Sequence, residues 1–150
     1  MGAFYYEGNA VEFQSTDEVE AAFYRAFMQG DIEALMEVWW MDDGIECIHP
    51  FGPRLTGYKE VYGSWQEVMQ QSQGMMVQPQ NVHRQQDGSL ATHSLVEKVS
   101  WMAEDGQHST EINATHVYRF TDSGWKMVLR HASPSPSQDL QDVLPEVELH

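Results

Sequence analysis

Ala114-Thr115-His116-Val117-Tyr118-Arg119-Phe120-Thr121-Asp122-Ser123-Gly124-Trp125-Lys126-Met127-Val128-Leu129-Arg130-His131 alternates large apolar with polar side chains on both sides of an Asp-Ser-Gly turn signal. That period of two describes paired antiparallel strands, each with one face turned to a core. Working outward, the same period fills the rest of the C-terminal half. Met76–Gln86 runs to a hairpin signal at Asp87-Gly88, Ser89–Met102 to Glu104-Asp105-Gly106, Thr110–Phe120 to the quoted turn, and Trp125–Ser133 to Pro134. The reading is a four-strand meander.

The N-terminal half has a different period. Ser15 caps and Glu18 reaches back three positions later; Val19, Ala22, Phe23, Ala26 and Phe27 then recur at helical spacing up to Gly30. Asp31 caps a second helix striped by Ile32, Leu35, Met36 and Trp39. Ile45–Ile48 reads as a short strand, and His49-Pro50-Phe51-Gly52-Pro53 as an ordered loop. A third helix follows Thr56-Gly57, with Val61, Trp65, Val68 and Met69 on one face. Helices first and a long antiparallel sheet second give an α+β domain: three N-terminal helices packed on a curved sheet made of a short first strand plus the meander. Residues 1–14 form an N-terminal arm, 15–134 the domain, and 135–150 an acidic tail beginning at Ser135-Pro136-Ser137.

One core is expected for 150 residues, with 41% hydrophobic and 11% aromatic content. Eight Lys and Arg against 23 Asp and Glu give a net charge of -15, which repels phosphate backbones and anionic headgroups and excludes nucleic-acid and membrane partners. Cys47 is the one cysteine, so neither an internal disulfide nor a Cys-based zinc spacing is available. With no apolar leader at Met1–Gln14 and no long apolar run, the expected location is cytoplasmic. No nucleotide-binding loop or nucleophile elbow occurs, and neither metal nor cofactor is expected.

Counting outward from tight turns puts Ala114, His116, Tyr118 and Phe120 on the core face with Trp125, Met127, Leu129 and His131. Thr115, Val117, Arg119, Lys126, Val128 and Arg130 fall on the other. Carried back across Glu104–Gln107, the same count turns His93, Leu95, Glu97, Val99 and Trp101 inward, with Glu97 and His131 flanking Ala114. Glu97, His116 and His131 are therefore the candidate catalytic groups, because a carboxylate and imidazoles in an apolar setting shift one another's proton affinity. Trp39, His49, Trp65, His93, Tyr118 and Met127 are candidate pocket-lining residues. The same spelling also fits a buried Glu and His that merely satisfy each other. Cys47 reads as an inert small hydrophobe.

The segments His49-Pro50-Phe51-Gly52-Pro53-Arg54-Leu55-Thr56-Gly57 and Gly124-Trp125-Lys126-Met127-Val128-Leu129-Arg130-His131-Ala132-Ser133-Pro134 complete the pattern. With them, residues 15 to 134 resemble the SnoaL-like branch of the nuclear transport factor 2-like superfamily. The resemblance implies a cystatin-like α+β cone with an internal pocket, and a superfold that hosts isomerases, cyclases, dehydratases and non-enzymatic binding proteins. The Asp or Tyr-plus-Asp machinery of ketosteroid isomerases and polyketide cyclases is not matched, since Glu97 is the one acid on the inner face. Three functions remain. The first is binding of a small apolar or amphipathic molecule. The second is an isomerase, cyclase or hydrolyase using Glu97 and His131 on a carbonyl compound, and the third a non-catalytic regulatory or assembly domain. A homodimer is expected through the convex sheet face, where Val96, Val117 and Val128 are ringed by Lys98, Arg119, Lys126 and Arg130.

Overall fold

The structure is a computed structural model that describes residues 11–136. Three helices are found among them: α1 (Thr16–Gln29), α2 (Ile32–Glu37) and α3 (Tyr58–Gln71). Local chemistry sets their ends. The Ser15 hydroxyl accepts from the Glu18 amide, while Gly30 takes the left-handed conformation and returns its N–H to Ala26 and Phe27. Asp31 then caps α2 through the Ala34 amide. The first fourteen residues enter this picture only at 11–14, and the tail from 137 on lies outside the described residues.

Six strands form one curved, unclosed sheet in the order β2-β1-β6-β5-β4-β3, with helices packed on it. They are β1 (Glu46–Ile48), β2 (Arg54–Thr56), β3 (Met76–Asp87), β4 (Leu90–Ala103), β5 (Gly106–Thr121) and β6 (Gly124–Pro134). One more strand is present than the sequence reading gives. Arg54–Thr56, read there as the approach to α3, folds back antiparallel on β1, which itself runs parallel to β6. Such a three-residue strand carries too little periodicity to stand out by spelling.

Register explains where the inner face lies. The turn between β3 and β4 is Gly88-Ser89, so Asp87 pairs with Leu90, a slip of two positions that keeps the side chains of His83–Asp87 on their expected faces; a bulge between Gln80 and His83 then inverts the phase of the earlier part of β3. Between β5 and β6 the pairs Thr121–Gly124 to Tyr118–Met127 follow the tight-turn count; Val117 then pairs with Leu129, leaving Val128 as a bulge. From that point the phase of β6 inverts. Arg130 faces inward, buried opposite His116, and His131 is exposed on the outer face opposite Thr115. Leu129 likewise shares a row with outward Val117. Phe120 is another correction: it runs past the end of the core and is 55% exposed, although its partner Trp125 is buried.

The proposed basic rim shrinks for the same reason. Arg130 is interior, and the Lys126 ammonium is buried where it donates to the Val11 and Glu37 carbonyls over the Phe13 ring. Lys98 and Arg119 remain on the outer surface, Arg119 lying over Trp40.

Gly124 anchors the N-terminal segment to this sheet. Its φ is +86°, and a Cβ there would stand 2.8 Å from the Phe13 carbonyl oxygen, the same atom that accepts from the Trp125 amide. Gly88 has φ +62° but open space around its Cβ position. Gly88→Ala should therefore cost about 1 kcal/mol for conformation alone. Gly124→Ala should cost about 2–3 kcal/mol, because the Phe13 backbone must also move. Urea unfolding of the two variants gives the difference, and equal losses would mean that the close approach carries no weight.

Candidate functional site

The inner face gathers an ionic network under aromatic cover. Arg130 forms a two-pronged pair with Glu97, its two terminal nitrogens 2.6 and 3.1 Å from the carboxylate oxygens, and Tyr24 donates a third bond to Glu97 at 2.6 Å. Arg130 also donates to His116 Nε2 at 2.8 Å, so His116 carries its proton on Nδ1 and donates it to the Tyr118 hydroxyl at 3.0 Å. Phe23 and Trp65 lie against the guanidinium at 5.1 and 5.7 Å from their ring centroids. All of these side chains are buried.

Burial and charge act together on their protonation. His116 is held well below the usual imidazole range by burial, then by the adjacent Arg130 cation. Burial raises the Tyr118 and Tyr24 phenols far beyond their ordinary range, and the Glu97 carboxylate adds to the effect on Tyr24. For Arg130, burial works against the charge but Glu97 outweighs it, so its affinity for the proton rises. The network is thus a neutral imidazole, neutral phenols and one locked ion pair.

Of the three candidate catalytic residues, Glu97 and His116 meet through Arg130, and His131 is absent from the cluster because the Val128 bulge turns it outward. Arg130 is the residue that sequence reasoning missed. The available signal was Glu97 itself, since a buried carboxylate calls for a fork of donors that Arg supplies and His does not.

The candidate lining residues are mostly core. Trp39, Trp65, Tyr118 and Met127 are almost fully enclosed. His49 is half-buried, edge-on to Trp65 at 4.9 Å, and donates to Ser64 Oγ at 3.0 Å, the Ser64 hydrogen being given to the Val61 carbonyl. Burial, then Arg130, pushes His49 down to about 4. Cys47 lies 3.8 Å from His49, and burial pushes its thiol up to about 11, which keeps it protonated. His93 hydrogen-bonds Glu20 at 2.8 Å and Thr16 at 2.9 Å.

Two clefts open on the described surface. One of about 320 Å³ lies on the outer sheet face beside His83, Thr115 and His131. The other, about 420 Å³, lies at the start of α1 and reaches His93. Among the described residues, the buried side-chain donors without an acceptor are Trp39 Nε1, Trp65 Nε1 and Arg130 Nε. The last two belong to the same aromatic cluster, and the sulfur of Cys47 beside Trp65 is a weak acceptor.

Comparison with known proteins agrees with this architecture. The model of the SnoaL-like domain matches residues 17–137. A protein of Thiobacillus denitrificans, named as a calcium/calmodulin-dependent protein kinase type II association domain, is 32% identical with a TM-score of 0.77, covering 83% of this chain and 98% of its own. A Streptomyces avermitilis protein of the NTF2-like family, named as a dehydratase, is 28% identical with a TM-score of 0.73, covering 81% and 94%. A Caulobacter vibrioides protein with a cystatin-like fold, 13% identical with a TM-score of 0.70 over 86% of this chain and 92% of its own, shares the fold. The F-box protein SKIP8 of Arabidopsis thaliana is 29% identical over 126 residues, 84% of this chain; the chain spans about half the length of that curated relative.

Proposed function

This chain belongs to the SnoaL-like domain family of the nuclear transport factor 2-like superfamily, and from that premise we propose that it binds a small amphipathic molecule inside the sheet, through Arg130. The observation that carries the reading is a pair of buried donors: Arg130 Nε, which has no acceptor among the described residues, and Trp65 Nε1 beside it, which meets only the weakly accepting Cys47 sulfur. Buried donors of this kind call for an external partner, and an oxygen acceptor flanked by a short apolar chain suits an arginine among Phe23, Trp65 and His49. Proton-transfer chemistry at the same network has less support. Both Glu97 oxygens are taken by Arg130, and both His116 nitrogens are engaged, so neither is free to act as a base.

The test uses short carboxylates of two to four carbons against their amides. Carboxylates should raise the melting temperature in proportion to the logarithm of concentration, as a ligand of the native state does. Trp65→Phe keeps an aromatic ring and removes the donor, and should weaken binding about tenfold for one lost hydrogen bond. Equal affinity of Trp65→Phe and the parent chain, or no carboxylate binding at all, refutes the assignment.

A second reading is self-association, supported by the named association domain of the Thiobacillus relative and by the half-buried Val96 and Val117 on the outer face. Sedimentation at micromolar concentration should give a dimer that Val117→Asp converts to monomer. A parent chain that sediments as a monomer ends this reading.

A further inference from the structure

The cleft at the start of α1 has a floor that the interior network does not explain. Thr16 Oγ1 lies 2.9 Å from His93 Nε2, and His93 Nδ1 lies 2.8 Å from Glu20 Oε1. Because Glu20 is a carboxylate acceptor, the His93 proton sits on Nδ1; in the neutral ring Nε2 then accepts from the Thr16 hydroxyl. Hydroxyl, imidazole and carboxylate are therefore in the order, and at the separations, that activate an alcohol for attack on a carbonyl. The carboxylate lies beside Tyr118, whose ring packs 4.8 Å from that of His93. His93 and Glu20 are buried, and Thr16 is 9% exposed, with both Thr16 and His93 on the wall of the cleft.

The rest of the cleft fits the same chemistry. Thr16 opens a 14-residue helix, whose first-turn N–H groups have no intrahelical acceptor and can receive a developing oxyanion. Glu18 N–H is excepted, being used by Ser15. Arg84 on the facing wall is paired with Asp17 at 2.7 Å, which neutralises the one carboxylate at the rim, and Gln14, Gln85 and Gln86 add amide groups. At about 420 Å³ the cleft takes a small molecule. Arg84, the one Lys or Arg on the described wall of the cleft, is already paired with Asp17, which disfavours an anionic one.

We infer that Thr16, His93 and Glu20 form an acyl-transfer site for small neutral esters. Thr16 Oγ1 forms a bond to the acyl carbon as its proton passes to His93 Nε2. The carbon–oxygen bond to the alkoxy group breaks, and the alcohol departs with that proton. Water then adds to the acyl-threonine ester, giving one proton to His93; the acid leaves and Oγ1 recovers the proton. The sum is ester plus water giving acid plus alcohol. Glu20 is a positioning residue, holding the imidazole tautomer.

The experiment treats the full chain with 4-nitrophenyl acetate and, separately, with an alkyl fluorophosphonate, followed by peptide mapping. A single adduct on Thr16 and nitrophenol release that saturates with ester are expected. Thr16→Val should lose the adduct and slow release by about 100-fold or more, while Thr16→Ser keeps both. Glu20→Gln should move the pH profile of release rather than abolish labelling. Melting curves of Thr16→Val and Thr16→Ser verify that both fold. Absence of an adduct on Thr16 in the parent chain overturns the proposal, as does release by Thr16→Val at the parent rate.

Discussion

Replacing Arg130 by methionine is expected to cost about 3–5 kcal/mol at neutral pH, enough to unfold a large fraction of a domain of ordinary stability. The loss comes less from the vanished attraction than from what remains: Glu97, 2% exposed, would keep its charge with Tyr24 as its one partner. Glu97→Leu alone should be costly too, since the buried guanidinium would retain His116 and no anion. The double variant Glu97→Leu/Arg130→Met removes both charges and should recover most of the loss, because paired buried ions are often replaceable by apolar groups of similar volume. Chemical unfolding of the four chains closes the cycle. The coupling should also be nearly insensitive to salt, as expected of a pair shielded from mobile ions. By contrast, His131→Ala changes an exposed residue and should fall within about 0.5 kcal/mol of the parent. A small effect at Arg130 with a large one at His131 would restore the unbulged register and remove the interior site.

That contrast shows which parts of the protein its spelling reveals. Helix ends are legible because they are local: Ser15, Gly30 and Asp31 act on amides and carbonyls within four residues of themselves. Strand faces are legible as far as a tight turn controls them, which for the last hairpin means four pairs, from Thr121–Gly124 to Tyr118–Met127. Beyond that the bulge at Val128 decides, and nothing in Met127-Val128-Leu129 distinguishes three apolar residues of which one is extra. What favours the bulge is distant in sequence. Met127 exchanges backbone bonds with Val38 and Trp40 after α2, while Arg130, three residues on, must face Glu97. One inserted residue therefore swaps Arg130 for His131 in the site. The second cluster was half visible, as His93 falls on the inner face by simple alternation. Thr16 and Glu20, on the helix laid against it, are 77 and 73 positions away and carry no spacing that points to His93.

Acid should weaken the fold well above the pH at which most carboxylates take up protons, and the cause lies with two histidines. His116 is held well below its ordinary value by burial and Arg130, and His49 is pushed down to about 4. Both are neutral in the native state, yet in the unfolded chain each takes up a proton as pH falls through about 6.5. The unfolded state then binds more protons than the native state, and stability rises with pH over that interval. Their contribution is thus fully present above about pH 7 and is lost progressively on the way down. The loss from His49 levels off below about 4. Between pH 6 and pH 5 the proton uptake on unfolding should approach two per molecule. With His49 half-buried and its share screened by solvent, the two together should remove about 2–3 kcal/mol between pH 7 and pH 5. Urea midpoints across this range measure the uptake directly. His49→Gln should reduce it by about one proton without altering stability at pH 8 by more than about 1 kcal/mol, since Gln can still donate to Ser64. An uptake near zero in the parent chain would mean that His116 is charged in the fold, and the bond from Arg130 to its Nε2 could not exist.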